Sequence, residues 1–366
     1  MAIHDKSDKF CHVTRLVVSG VEWMLLQRLL LFGMAVYLLY AAWWVVTAGI
    51  VRTDGPVELL NVACDPTREL WRDLNEQFSA HYEAECGVRV SIRQSHGGSA
   101  SQARAVIDGL DADVATLALW SDTDALRRAG RIDDGWEQRL PNRSLPYVST
   151  IVFVVRRGNP KQIRDWPDLA REDVRVITPN PKTSGNGKWS FLAIWGSVVT
   201  RGGTETEAGE LVTRVFRNVP VLDASARAAT MTFAQKNIGD VHLTWENEAH
   251  LEVVEAEGSL EIVYPPVSVL AEPHVAVVDA VVREKGTKEI AEAYLRYLYS
   301  EPAQEIIARH YFRPTSEVVK RRRADQFPSI RLFQALDLGP SWDSLQFRFF
   351  AEGGLFDQIY ASRRAK

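Results

Sequence analysis

The stretch from Val57 to Ala100 reads VELLNVACDPTRELWRDLNEQFSAHYEAECGVRVSIRQSHGGSA. It begins with a nearly continuous apolar run, typical of a strand buried on both faces, and continues with apolar residues at helical spacing over 66–82. A second strand is predicted over 87–94, and the small residues of SHGGSA lead into another helix. A third strand over 112–119 completes a βαβαβ pattern, which predicts a parallel sheet with right-handed crossovers.

Two long extended runs interrupt this alternation of strand and helix. The first is PYVSTIVFVVRRGNP (146–160), after which the alternation restarts, and the second covers 261–282. Two α/β units joined by two extended segments predict a two-lobed α/β protein, with lobe 1 over 57–145 plus 268–366 and lobe 2 over 146–267. Ligands of open α/β sheets bind outside the carboxyl ends of the strands, so we expect the ligand in the cleft between the lobes.

The N-terminal region contains an apolar segment, residues 29–51, without one charged side chain. Its length is sufficient to cross a bilayer, and small residues up to Ala48 suit cleavage by a signal peptidase. We therefore expect export to the periplasm, with residues 1–28 as an N-terminal extension. The sequence leaves open whether 29–51 is a cleaved signal peptide or a membrane anchor, and whether translation starts at Met1 or Met24.

Composition and cysteine content exclude several classes of function. The 366 residues are 46% hydrophobic and 25% charged, and the net charge of −4 provides no electrostatic basis for binding nucleic acid. No HExxH or paired CxxC motif is present, so we predict neither a metal nor a cofactor. Cys11 precedes the apolar segment, so we expect it to stay inside the cell or to be removed with that segment. Cys64 and Cys86 fall at opposite ends of neighbouring predicted strands, too far apart for a disulfide, so we predict free, buried thiols.

Three predicted strand-to-helix turns are rich in small residues: SHGGS (95–99), TSGNG (183–187) and DASARAAT (223–230), the last after a predicted short strand over 221–225. The first backbone N–H groups of a helix lack intrahelical partners, and the helix dipole favours negative charge there. Each turn alone is most often a plain helix cap. Together they predict an oxyanion held by neutral donors.

The segment TWENEA (244–249) adds a fourth element. Trp245 ends a predicted strand, and its indole N–H is a donor that cannot accept. Glu246 and Glu248 are interpreted as solvated or capping carboxylates rather than catalytic ones, and His96 as a structural histidine. SGNGK lacks the full phosphate-loop pattern, which argues against nucleotide binding.

Long motifs place the chain near a known family, from Val57 to the C-terminus. The sequence resembles the periplasmic sulfate-binding proteins of ATP-driven sulfate and thiosulfate uptake systems. This resemblance implies a type II periplasmic-binding fold, no enzymatic activity, and a monomer that delivers sulfate to a membrane permease with a cytoplasmic ATPase. The matching segments are LLNVACDPTREL, QSHGGSASQA, DVATLAL, YVSTIVFVVRRGNPKQIRDWPDL, ITPNPKTSGNGKW, VLDASARAAT, GDVHLTWENEA, VLAEPHVAVVD and EAYLRYLYS.

The resemblance also implies which residues hold the anion. Hydroxyl groups, backbone N–H groups and one indole N–H contact it directly, and two charged residues orient these donors from behind. Asn186 departs from the pattern, because some relatives have a second glycine there. The implied direct contacts are Ser99, Ser184, Gly185, Asn186, Ala226 and Trp245, and the orienting residues are Asp65 and Arg227.

The proposed donors agree with the chemistry of sulfate. Sulfate carries no proton at neutral pH and requires donors only, whereas phosphate usually carries a proton and favours an acceptor carboxylate. Thiosulfate is the rival ligand, ahead of molybdate and tungstate. Two other functions stay open from the residues: a membrane-tethered anion sensor, and an enzyme transferring a sulfuryl or phosphoryl group, which would need a metal or a positioned base.

Overall fold

The computed structural model describes residues 20–48 and 55–364, and the chain divides into two units at Gly55. The first unit contains helix α1 (Gly20–Ala48). Within the described ranges, no helix combines the length and apolar character needed to span a membrane. Cys11 and residues 49–51 lie outside the described residues.

The first of two sheets has four strands in the order β2-β1-β3-β9. β1 pairs in parallel with β2 and with β3, which confirms the predicted βαβαβ arrangement, and β9 is antiparallel to β3. The carboxyl ends of β1, β2 and β3 therefore meet at one edge of this sheet. The strands are β1 (Val57–Cys64), β2 (Val90–Gly97), β3 (Val114–Thr116) and β9 (Val275–Val277).

The second sheet has seven strands and is built around β4, the first predicted extended run. β4 is antiparallel to β6, β7, β8 and β10, while β5 runs parallel to β6 and β11 runs parallel to β8. The strands are β4 (Tyr147–Arg156), β5 (Val176–Ile177), β6 (Val241–Trp245), β7 (Leu260–Val263), β8 (Val267–Ala271), β10 (Arg313–Pro314) and β11 (Arg331–Phe333).

Helices flank both sheets, which confirms the predicted α/β class. The helices of the second unit are α2 (Arg68–Cys86), α3 (Ser99–Ile107), α4 (Trp120–Arg128), α5 (Pro141–Ser144), α6 (Gly185–Val199), α7 (Glu205–Arg217), α8 (Ala226–Thr230), α9 (Glu246–Glu255), α10 (Asp279–Lys285), α11 (Lys288–Tyr297), α12 (Glu301–Arg309), α13 (Glu317–Arg322), α14 (Trp342–Leu345) and α15 (Leu355–Arg364).

Two local predictions are wrong. Residues 221–225 form no strand: the Asp223 carbonyl accepts from the Asn180 N–H at 2.8 Å and the Ser225 carbonyl from the Ala229 N–H at 3.2 Å, and neither bond belongs to a strand pair. Cys86 is a free but exposed thiol, because α2 continues to Cys86 and ends at the solvent-facing Gly87 cap. Cys64 is free and buried as predicted.

The C-terminal segment contacts the second sheet. β11 lies beside β8, with Leu332 opposite Ser268, and Gly196 of α6 packs directly against the ring of Phe333. The division into 57–145 plus 268–366 and 146–267 stays a prediction, and the pairing of β11 places one part of its first lobe on the second sheet. The candidate site has two halves, and each is named by the sheet whose strands lead into it.

Candidate anion-binding site

The three turns predicted to hold an anion meet in the structure. Gly98, before α3, lies so close to the turn before α6 that a Cβ there would be 2.3 Å from the Thr183 carbonyl oxygen and 3.3 Å from that of Ala224. The Thr183 hydroxyl donates to the Ala224 carbonyl at 2.7 Å. Strand ends from both sheets thus bring the starts of α3, α6 and α8 together.

Ser99 is the first residue of α3 and is fully buried. Its hydroxyl donates to Asp122 Oδ2 at 2.7 Å and accepts from the Ala118 N–H at 3.0 Å. Lys188 Nζ donates to the other oxygen of Asp122 at 2.6 Å, and both charged side chains are buried. The Ser99 hydroxyl is therefore engaged within the protein, whereas the first amides of α3 have no acceptor within the helix.

The start of α6 is packed tightly against the first sheet's turn. A Cβ on Gly185 would lie 2.4 Å from the Ala118 Cβ and 3.1 Å from the Ser99 Cβ, so a glycine is required there. Ser184 precedes the helix, is buried, and makes no side-chain capping bond. Asn186 Nδ2 donates to the Leu243 carbonyl at 3.0 Å. The first amides of α6 are thus held against α3.

The start of α8 is linked to the first sheet's side by charge. Ala226 is its first residue and is buried, and the Ser225 hydroxyl caps the helix. Arg227 Nη2 donates to Glu69 Oε2 at 2.9 Å and to Glu248 Oε1 at 3.3 Å. Glu69 belongs to α2, so Arg227 bridges the two halves of the site, which agrees with its predicted orienting role but leaves that role untested.

Trp245 ends β6 and is fully buried. Its indole N–H has no hydrogen-bond acceptor among the described residues. A buried donor without a partner is rare and costs about 1–3 kcal/mol. The ring packs edge-on against Phe312 at 6.2 Å between centroids, so its position is fixed by contacts other than a hydrogen bond.

Asp65 follows β1 and is buried, with Arg68 Nη2 at 3.3 Å from its carboxylate. His96 lies beside it: Nδ1 is 3.4 Å from the Cys64 carbonyl, and burial lowers the pKa of the imidazole. Burial raises the pKa of the Cys64 thiol to about 12, so this thiol is not a reactive nucleophile at neutral pH.

The interpretation of Glu246 and Glu248 as solvated or capping residues is wrong. Glu246 is fully buried and accepts from Arg313 Nε at 2.7 Å and Nη2 at 2.8 Å. Glu248 is 2% exposed, and burial raises the pKa of its carboxyl to about 8. The cause is that α9 begins directly at the end of β6 and turns into the protein interior.

Sequence reasoning missed Asp122, Lys188 and Glu69. Asp122 was detectable in principle, since it sits in the first turn of α4, just after β3 and at the same sheet edge as Ser99. Lys188 follows the glycine-rich turn by one residue, and Glu69 is in the first turn of α2. Their pairing across the two sheets has no local sequence pattern.

The arrangement provides several donors, and the carboxylate of Asp122 beside them is engaged within the protein. Both oxygens of Asp122 are engaged, one by Lys188 and one by Ser99. Within the part of the chain that the structure describes, no group of three metal-ligating side chains is present. Amide groups at helix starts and one unpartnered indole suit an oxyanion without a proton.

The comparisons agree with this chemistry. The profile of the bacterial extracellular solute-binding protein family matches residues 59–313. A sulfate-binding protein of Escherichia coli is 52% identical over 305 residues, covering 83% of this chain and 93% of that protein. A thiosulfate-binding protein of Pseudomonas aeruginosa is 48% identical over 305 residues, covering 83% and 92%. The solved structure of the sulfate-binding protein SubI from Mycobacterium tuberculosis is 32% identical, with a TM-score of 0.74, and covers 80% of this chain and 99% of that one.

These similar proteins are named as binding proteins, which confirms the prediction that the chain is a receptor and not an enzyme. The family match extends over most of the chain and includes every turn of the site. The two flanked sheets and the convergent helix starts agree with this match. The chain belongs to the bacterial extracellular solute-binding protein family.

Proposed function

We propose that this protein binds sulfate outside the cytoplasm and delivers it to a membrane permease powered by a cytoplasmic ATPase. One observation carries the ligand class: the buried indole N–H of Trp245 has no acceptor among the described residues and lies where a strand leads into the site. An oxyanion would supply that acceptor. The direct contacts proposed are the sequence-predicted ones, with Ser99 contributing its amide.

The engagement of Asp122 by the protein's own donors supports a dianion over a protonated anion. Each oxygen of Asp122 already accepts a hydrogen bond, one from Ser99 and one from Lys188, so a protonated anion would compete with these donors. Removing one partner of a buried ion pair costs about 3–5 kcal/mol, because the other charge is left buried without compensation. Sulfate requires no such exchange, since it needs only donors.

The contacts between the two halves support a receptor that closes around its ligand. Asn247 Nδ2 donates to the Pro66 carbonyl at 2.7 Å, and Trp189 Nε1 donates to the Ala118 carbonyl at 2.8 Å. With the ion pair of Asp122 and Lys188, these bonds join elements of the first sheet to elements of the second. We infer that the structure is the closed form and that the bonds separate when the receptor opens.

Calorimetry tests the proposal. The purified protein, dialysed free of sulfate, is titrated at neutral pH with sulfate, thiosulfate, molybdate and phosphate in turn. Tight binding of sulfate with no heat from phosphate is the expected result. Binding of none of the four by a folded sample would contradict the proposal.

Thiosulfate is the second candidate ligand, because a thiosulfate-binding protein is nearly as similar to this chain as a sulfate-binding one. Thiosulfate bound at least as tightly as sulfate would favour it. A monomeric state, the permease partner, and the cleaved or anchored state of residues 29–51 remain predictions, which light scattering and N-terminal sequencing of the mature protein would test.

A further inference from the structure

Asn186 makes an unusual use of its side chain. It is the second residue of α6 and only 2% exposed. Its Nδ2 donates to the Leu243 carbonyl at 3.0 Å. A carbonyl oxygen only accepts, so the amide nitrogen must face Leu243, and the orientation of the carboxamide follows from this bond.

This bond joins two elements that carry anion donors. Leu243 stands two residues before Trp245 on β6, and the two side chains share one face of the sheet. Asn186 lies in the first turn of α6, where the amides lack intrahelical partners. The preceding Ser184 makes no capping bond. The hydrogen bond from Asn186 Nδ2 to the Leu243 carbonyl links this helix start to β6, the strand that ends in the indole of Trp245.

The same side chain leaves one atom unsatisfied. Asn186 Oδ1 is buried and has no partner among the described residues. A buried polar atom without a partner lowers stability and requires an explanation other than stability. A glycine at this position would avoid the unsatisfied oxygen and would also lose the bond to Leu243.

We propose that Asn186 is a positioning residue that fixes the distance between the α6 amides and the Trp245 indole, and that it sharpens selection of sulfate over thiosulfate. The proposal rests on the proposed function. Neutral donors stabilise an anion only when they are held in place before it arrives. Thiosulfate replaces one oxygen of sulfate by a sulfur atom on a longer bond, so a fixed span favours the smaller anion.

The test compares Asn186→Ala and Asn186→Asp with Asn218→Ala as a matched control. Alanine has no group to donate to the Leu243 carbonyl, and an ionised Asp carboxylate only accepts, so Asn186→Asp is measured at a pH where it is ionised. Asn218 also ties backbone together, donating to the Leu169 carbonyl at 2.8 Å and the Arg171 carbonyl at 2.7 Å, but it follows α7 rather than lining the site. The change in unfolding free energy of Asn218→Ala therefore measures the structural cost of removing such a hydrogen bond.

Three quantities are measured on the full chain: calorimetric Kd values for sulfate and thiosulfate, urea unfolding, and the ¹⁵N–¹H resonance of the Trp245 indole, assigned by its disappearance in Trp245→Phe. We expect Asn186→Ala to weaken sulfate binding about three- to tenfold, as for loss of one hydrogen bond, and thiosulfate binding less. Both Asn186 variants shift the indole resonance, and Asn218→Ala shifts neither the resonance nor the Kd values.

An unmoved indole resonance in both Asn186 variants would overturn the proposal, as would an unchanged ratio of sulfate to thiosulfate affinity. The resonance is also recorded without anion. If the wild-type protein bound no oxyanion, the proposed function would fail, while the anion-free resonance would still decide whether Asn186 positions Trp245.

Discussion

Trp245→Phe is the most direct test of the donor-only site. The substitution keeps an aromatic ring at the end of β6 and removes one hydrogen-bond donor. In the structure that donor is fully buried and has no acceptor among the described residues. Its loss should therefore weaken anion binding, and it breaks no hydrogen bond among the described residues of the folded protein.

The size of the effect follows from the type of bond. A hydrogen bond to a charged group contributes about 1.5–3 kcal/mol, and each 1.4 kcal/mol is a factor of about ten in Kd. We therefore expect the Kd for sulfate to rise about 10- to 150-fold in Trp245→Phe. Calorimetry in sulfate-free buffer measures this change, and a competition format extends it if wild-type binding is too tight.

Trp71→Phe is a matched control. Trp71 is also fully buried, and its indole N–H also lacks a partner in the described part of the chain. It lies on α2 and packs against Tyr147 and Tyr294 in the core, however, and not at the end of β6. Both variants remove the same group, so similar changes in unfolding free energy are expected. An unchanged Kd in Trp245→Phe, or an equal loss in Trp71→Phe, would refute the reasoning.

Three further substitutions test the surroundings of the site. Gly98→Ala is compatible with the backbone (φ −61°) but places a Cβ 2.3 Å from the Thr183 carbonyl oxygen, so calorimetry should show sulfate binding weakened about tenfold or more, and urea unfolding should show a loss of about 1–3 kcal/mol. Lys188→Met leaves Asp122 buried without its cation and should cost about 3–5 kcal/mol in urea unfolding; adding Asp122→Asn should recover most of that loss. Glu248 has a pKa raised from 4.5 to about 8 by burial, so the folded protein retains a proton that the unfolded chain releases, and wild-type stability falls as pH rises through that window. Glu248→Gln should therefore gain stability relative to wild type between pH 5 and 8, and a pH-independent difference would contradict this assignment.

The position of the site was predictable from local pattern. Strand β1 begins at Val57, where the apolar run begins, and β6 ends at Trp245 as predicted, since residues that begin helices follow both strands. Alternation of strands and helices then places the ends of parallel strands at one edge. That geometry brings Ser99 and the residues after Cys64 together without any knowledge of side-chain contacts.

The contacts that close the site were not predictable in this way. Asp122 and Lys188 are 66 residues apart in sequence, and Glu69 and Arg227 are 158 apart. Each pair joins elements associated with different sheets. The local sequence around these four charged residues does not distinguish them from solvent-exposed charged residues. The burial of Glu248 was missed for the same reason, because it depends on the direction in which α9 leaves the strand.

The buried carboxylates around the site raise a question about how it accepts a dianion. Asp122 and Glu248 both lie near the convergent helix starts, and two uncompensated negative charges there would repel sulfate. Lys188 compensates the first. The pKa of the Glu248 carboxyl, raised to about 8, leaves the second mostly protonated at neutral pH, with Arg227 beside it. The nearest charges thus cancel among themselves, and the anion meets peptide and indole dipoles. Because no cationic side chain of this network is left uncompensated, selectivity must come from the number and placement of neutral donors. That placement depends on closure, and the ion pairs of Lys188 with Asp122 and of Arg227 with Glu69 both join elements of the first sheet to elements of the second.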